Sequence, residues 1–143
     1  MKSPPYFKLS YNPAQDFISS RWLRVGNSAE YRQALVDTCK QLHKSNAMGW
    51  LVDFSRMTSP DMRDQNWTLD LLTQSLPHTK LRKLAVVLPD DLFLEVAVER
   101  VRDGLLNVSN INLQIAQFSD SSAAKHWLVS DNDPCEGLFR NAS

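Results

Sequence analysis

The sequence predicts one α/β domain, a mixed sheet that is parallel in its later strands and carries packed helices. Three observations lead there. Residues 6–11 alternate apolar and polar side chains, residues 17–24 read as a second strand, and the turn-forming residues 12–16 between them make the pair read as a hairpin. After the hairpin, short apolar runs alternate with segments of helical period, the pattern of successive βα units. The chain has 143 residues, 43% of them apolar, which suits one core and is too short for two ordinary domains. The predicted order is β-β-α-β-α-β-α-β-α over residues 1–130. Residues 131–143 lack periodicity and are expected to form a loose tail.

Each later element has its own signal. Gly26, Asn27 and Ser28 end the second strand. Asn27 is the expected N-cap of the first helix, with Glu30 placed to close a capping box. That helix runs to about Lys44, with Tyr31, Leu35, Thr38 and Leu42 on one stripe beside Ala34. Residues 49–54 (GWLVDF) read as a buried central strand. Ser59 and Pro60 are expected to open the second helix, Ser as cap and Pro at the first helical position. Met62, Leu69, Leu72 and Leu76 then line its inner face, Trp67 and Leu71 lie on a neighbouring stripe, and Pro77 ends it. Residues 83–88 (KLAVVL) form the next strand. Pro89, Asp90 and Asp91 open a third helix, whose inward stripe is expected to be Phe93, Ala97, Val101 and Leu105, with Leu92 and Val96 alongside. Residues 111–118 alternate again as a strand. Residues 119–122 cap a last helix to about Val129, with Ala124, Trp127 and Leu128 turned inward.

Composition narrows the function. Lys plus Arg and Asp plus Glu number 16 each, so no basic surplus points to nucleic acid. No run approaches the ~20 apolar residues of a membrane span, and the first ten residues lack the apolar core of a secretion signal. Cys39 and Cys135 fall on a helix and in the tail, which reads as two reduced thiols in a cytoplasmic protein. The four glycines, Gly26, Gly49, Gly104 and Gly137, are not spaced to cradle a phosphate, and no Gly-x-Ser-x-Gly elbow occurs.

The titratable residues suggest structural work. His43, His78 and His126 lie on different elements. Cys39 and His43, four apart on a helix, offer only two metal ligands where a site needs three or four, so no metal and no cofactor are expected. Asp90 and Asp91 stand at a helix start, where acids offset the macrodipole, and Asp61 pairs with Asp64 at another. Asp53 closes the central strand, at the edge where α/β sheets bind ligands. Its simpler role is to bond the backbone of the next loop. No catalytic constellation is visible, and the chain is not expected to be an enzyme.

Trp22 in the second strand, residues 31–35 (YRQAL), residues 50–54 (WLVDF), Trp67, residues 84–89 (LAVVLP), Phe118-Ser119-Asp120 and residues 123–128 (AAKHWL) follow a familiar order. Through them the chain resembles STAS domains, the fold of bacterial anti-sigma-factor antagonists. It is more closely similar to small uncharacterised bacterial proteins with a SpoIIAA-like fold. The resemblance spans residues 6–129 and implies a STAS/SpoIIAA-like α/β architecture. In antagonist-type members, a Ser or Thr at the start of the helix after the central strand is phosphorylated, and the added charge breaks a protein complex. Thr58 and Ser59 stand at about that place here, with Pro60 and Asp61 where those members carry an Asp-Ser-Ser-Gly element.

The expectation is therefore a non-catalytic interaction or regulatory module with a protein partner. Its working surface is the loop of Asp53, Ser55, Thr58, Ser59 and Asp61 with the start of the second helix. The alternative is a small apolar-ligand domain with a pocket between helices and sheet, lined by Met57, Met62, Trp67 and Phe93. Trp22 is either a contact surface of this kind or a cover for one face of the sheet. The first strand, as a sheet edge, offers a route to a homodimer.

Overall fold

The computed structural model describes residues 4–108 and 111–130. The predicted tail and Cys135 lie outside the described residues. The strands are β1 (Phe7–Asn12), β2 (Phe17–Trp22), β3 (Gly49–Asp53), β4 (Lys83–Val87) and β5 (Gln114–Phe118). The helices are α1 (Ser28–Ser45), α2 (Met62–Ser75), α3 (Leu92–Leu106) and α4 (Ser121–Val129), with a short 3-10 turn at Leu76–His78 after α2. The element order is the one the sequence predicts. The strands lie side by side in chain order, β1 antiparallel to β2 and the rest parallel, so β1 and β5 are the edges. Among the described residues, no helix is long and apolar enough to cross a membrane.

Two cores follow from the period-two alternation of the strands. On one face, Ile18, Trp22, Trp50, Val52, Leu84, Val86 and Ile115 pack beneath α1, α2 and α3. On the other, Phe17, Leu51, Ala85, Val87 and Ala116 pack beneath α4 through Ala124, Trp127 and Leu128, the three residues expected to face inward. The sheet is five strands wide, and α4 packs chiefly over β3, β4 and β5, with Phe17 of β2 at its margin. Among the described residues, no helix covers the rest of the β1–β2 half of that face.

The caps explain where the helices begin. Asn27 accepts from the Glu30 N–H and the Glu30 side chain accepts from the Asn27 N–H, the expected capping box. Asp91 caps α3 and Asp120 caps α4. The second helix departs from expectation. Its cap is Asp61, whose Oδ1 accepts from the Asp64 N–H at 2.8 Å, so α2 starts at Met62 and Ser59 does no capping. A carboxylate at this position adds favourable charge at the helix N-terminus, beyond what a hydroxyl supplies.

Two helix faces also depart from expectation. On α2 the buried side chains of the first two turns are Asp64, Gln65 and Thr68, and Met62 is exposed. On α3 the buried residues are Leu94, Ala97 and Leu105, while Leu92, Phe93 and Val96 face out. The α2 polar face is satisfied from α1. Arg32 Nε donates to Asp64 Oδ1 at 2.8 Å, Ser28 Oγ donates to the same oxygen at 2.9 Å, and the Tyr31 and Thr68 hydroxyls are 2.7 Å apart.

Candidate functional site

The carboxyl ends of the parallel strands carry the loop expected to be functional. β3 ends at Asp53, whose buried Oδ1 accepts from the Ser55 N–H at 2.9 Å, which is the simpler role foreseen for it. Ser55 and Arg56 turn at the surface, and Met57 drops back into the core, its N–H bonded to the Phe54 carbonyl at 2.9 Å. Met57 therefore anchors the loop from beneath. Thr58 is exposed. Ser59 is half-buried, and its Oγ donates to the Pro60 carbonyl at 3.2 Å. That carbonyl also accepts from Gln65 Nε2 at 2.8 Å, which fixes the loop to the first turn of α2.

Beside this loop lies an apolar patch that the sequence reading placed in the core. Phe93 is 80% exposed, Leu92 70%, Val96 55% and Met62 52%. Phe93, Val96 and Arg100 recur at helical spacing on one stripe of α3. Arg100 at the end of that stripe bonds the Met62 sulfur and, at 3.2 Å, the Asn66 Oδ1 of α2. The stripe thus continues onto the first turn of α2, next to Asp61. Trp67, half-buried, lies under the Arg32 guanidinium 5.0 Å from its ring centre.

A second feature lies inside. A cavity of about 80 Å³ separates the sheet from α1, α2 and α3, with Trp22, Tyr31, Trp50, Phe54, Leu94 and Ala97 among its walls. The apolar pocket foreseen between helices and sheet exists, but Met57, Met62, Trp67 and Phe93 are not its lining. Met62 and Phe93 point to solvent because Leu94 and Ala97 take the inward positions on α3 and Gln65 and Thr68 do so on α2. Trp22 is buried, stacked between Tyr6 and Tyr31 at centroid distances of 5.9 and 6.2 Å, so it forms wall and core and not surface.

The remaining titratable groups are engaged or exposed singly. Asp61, Asp91 and Asp120 cap helices, and Asp64 holds Arg32. His43, His78 and His126 are exposed on separate elements. Burial pushes the Cys39 thiol up to about 11, against a weaker opposing bond to Ser75, so it stays protonated at neutral pH. Among the described residues, no three His, Cys, Asp or Glu side chains gather as a metal site would need.

This topology is that of a solved protein. An uncharacterised DUF3478-family protein with a SpoIIAA-like fold from Shewanella loihica PV-4 superposes with a TM-score of 0.57 at 15% sequence identity, over 90% of this chain and 98% of that one. The chain has a SpoIIAA-like fold. No family model matches the sequence, and no curated protein matches it. Within this fold, the loop of Thr58 and Ser59 and the N-termini of α2 and α3 share the carboxyl edge of the sheet. Sequence reasoning found the loop and named Met62 and Phe93, though as pocket lining, and missed Leu92 and Val96 beside them. The one signal available was the density of apolar residues at 92–98, which exceeds what a single inward stripe can bury.

Proposed function

We propose that this protein is a non-catalytic interaction module whose docking surface is the loop of residues 55–61 with the first turns of α2 and α3. The observation that carries the reading is the exposed cluster of Met62, Leu92, Phe93 and Val96. Contiguous exposed apolar side chains with a polar rim mark contact sites, and aromatic residues dominate their energetics. The engagement of Asp53, Asp61, Asp64, Asp91 and Asp120 in caps and bonds supports the non-catalytic part, since it leaves none of these carboxylates free for acid–base work.

Thr58 and Ser59 supply the regulatory element. Ser59 is not committed to a cap, so phosphorylation would not cost the helix its N-terminal bond. A phosphate there would instead set two further negative charges beside Asp61, at the rim of an apolar contact, and expel the partner by desolvation and repulsion. The test places a photo-crosslinking amino acid at Phe93, and at exposed Lys40 on α1 as control, in the cells that make the protein. A discrete adduct at position 93 alone is expected, weakened about 30-fold by Leu92→Asp, the ~2 kcal/mol of a hot-spot loss. Equal labelling at both positions would sink the reading. An adduct unaltered by Ser59→Asp would remove the switch and keep the surface.

The cavity supports a second reading, an apolar-ligand domain. Its polar wall groups are already bonded. Ser20 Oγ accepts from Trp50 Nε1, Thr38 Oγ1 donates to the Ala34 carbonyl, and Gln65 Nε2 donates to the Pro60 carbonyl. The interior therefore suits a compact apolar molecule of few heavy atoms. Xenon enters dry apolar cavities. It is expected to shift the indole N–H resonances of Trp22 and Trp50 while leaving Trp127 unmoved. No shift at either cavity indole would remove this reading.

A further inference from the structure

Among the described residues, the β1–β2 half of this sheet face forms a groove of about 430 Å³ against the side of α4, lined by Lys8, Ser10, Ser19, Arg21, Asp53 and Lys125 together with Ser121 and the hairpin end. Its floor follows from register. Lys8 stands opposite Arg21 across the antiparallel pair, Arg21 stands beside Asp53 across the parallel one, and Ser10 stands opposite Ser19. These side chains share one face. Lys125 adds a third cation from α4. Among the described residues, none of the three cations makes an ion pair or side-chain hydrogen bond. Asp53 is buried with one oxygen on the Ser55 N–H, whereas Lys8, Arg21 and Lys125 are exposed.

We propose that this groove binds a phosphomonoester dianion. Like charges directly opposite on paired strands are destabilising, so the Lys8–Arg21 pair costs the empty fold stability that an anion between them restores. The chain is electrically neutral overall, yet this concavity holds three cations against one carboxylate, a surplus of two that matches a dianion. The Arg21 guanidinium suits bidentate contact with phosphoryl oxygens, and the hydroxyls of Ser10, Ser19 and Ser121 supply further donors. The volume leaves room for a small organic body on the phosphate. The α4 N-terminus is not the source of attraction, because Asp120 already accepts from the Ser122 and Ala123 N–H groups. Protection of an edge strand accounts for a lysine on β1. It does not account for Arg21 on the inner strand β2 or Lys125 on a helix.

The experiment titrates the full chain with inorganic phosphate, following backbone amide resonances against sodium chloride at matched ionic strength. Saturable shifts are expected at the amides of Lys8, Ser10, Ser19, Arg21, Ser121 and Lys125. Lys8→Gln and Arg21→Gln are each expected to weaken binding about tenfold, the size of one charge-assisted contact. Both residues are exposed, so the variants keep the fold. Shifts identical to those with chloride, or unaltered in the double variant, would overturn the proposal. A parallel sedimentation with phosphatidylcholine vesicles, with and without phosphatidic acid, separates the sources of the phosphate. Cosedimentation that needs phosphatidic acid and Arg21 assigns a lipid headgroup, and saturation by phosphate without cosedimentation assigns a soluble phosphoester.

Discussion

Trp127→Ala is expected to destabilise the fold by about 4 kcal/mol, within the ~3–5 kcal/mol range for emptying a buried aromatic site. Trp127 is fully buried and is the largest side chain in the second core, where it packs with Phe118 at a centroid distance of 5.8 Å. Its sheet partners Ala85 and Ala116 are small, as is Ala124 beside it on α4, and together they leave a hollow that only a large ring fills. The same residue fastens Lys83. The Lys83 ammonium sits 5.0 Å over the indole and donates to the Trp127 carbonyl at 3.0 Å and the Ser130 carbonyl at 2.8 Å. Losing the ring therefore leaves a cavity and loosens the link between β4 and the end of α4. Against a typical total stability of ~5–15 kcal/mol, a loss of this size lowers the urea midpoint sharply. Trp127→Phe, which keeps much of the volume, should cost less than half as much. A loss below ~1 kcal/mol for the alanine variant would mean that α4 is not the lid of this core.

The strands were legible because each reads on its own. Alternation in Lys8-Leu9-Ser10 and the run of residues 84–87 needs no knowledge of neighbours, and the element order follows. The caps at Asn27 and Asp91 were legible for the same reason, since a cap bonds within its own first turn. The α2 cap was ambiguous, because Ser59-Pro60 and Asp61 are both good openings two residues apart, and only the observed bonds choose Asp61. Helix phase was legible only where one stripe was apolar. On α3, Leu92, Phe93, Leu94, Val96, Ala97 and Val98 surround the axis, so periodicity permits two stripes, and packing against the sheet selects the one through Leu94. On α2 the inward rule for apolar residues fails outright. Asp64 and Thr68 are buried because Ser28, Tyr31 and Arg32 arrive from another helix more than 30 positions away, and Gln65 because it bonds the Pro60 carbonyl of the preceding loop. The cationic groove is intermediate. Alternation places Lys8 and Arg21 on the outer faces of their strands, but only the hairpin register sets one opposite the other, and only the docking of α4 brings Lys125.

Asp64→Ala is expected to cost about 2–3 kcal/mol, less than Trp127→Ala and more than any surface change. The Asp64 side chain is almost wholly buried and carries three duties at one carboxylate. It pairs with Arg32, accepts from Ser28, and places negative charge in the first turn of α2, where the helix dipole favours it. Removing one partner of a buried pair costs ~3–5 kcal/mol because the other is left buried and unpaired. Here Arg32 is about one-third exposed and already lies over the Trp67 ring, so water and the indole recover part of the loss. Asp64→Asn keeps an acceptor oxygen for Arg32 Nε and Ser28 Oγ and should cost roughly half as much, ~1 kcal/mol. The decisive comparison is the double variant Arg32→Met with Asp64→Leu, which removes both charges and fills the space with apolar side chains. If desolvation dominates, the double variant is more stable than Asp64→Ala alone, as buried pairs replaced by apolar residues are elsewhere. If it is no better than the single variant, the α1–α2 contact depends on the ion pair itself. Denaturant midpoints at unchanged slope decide between them. The outcome bears on function as well. Asp64 sits one turn from Asp61 and the Ser59 loop, so a loosened α1–α2 latch is expected to reduce crosslinking at Phe93 without touching the apolar patch, whereas Leu92→Asp removes that contact with the latch intact.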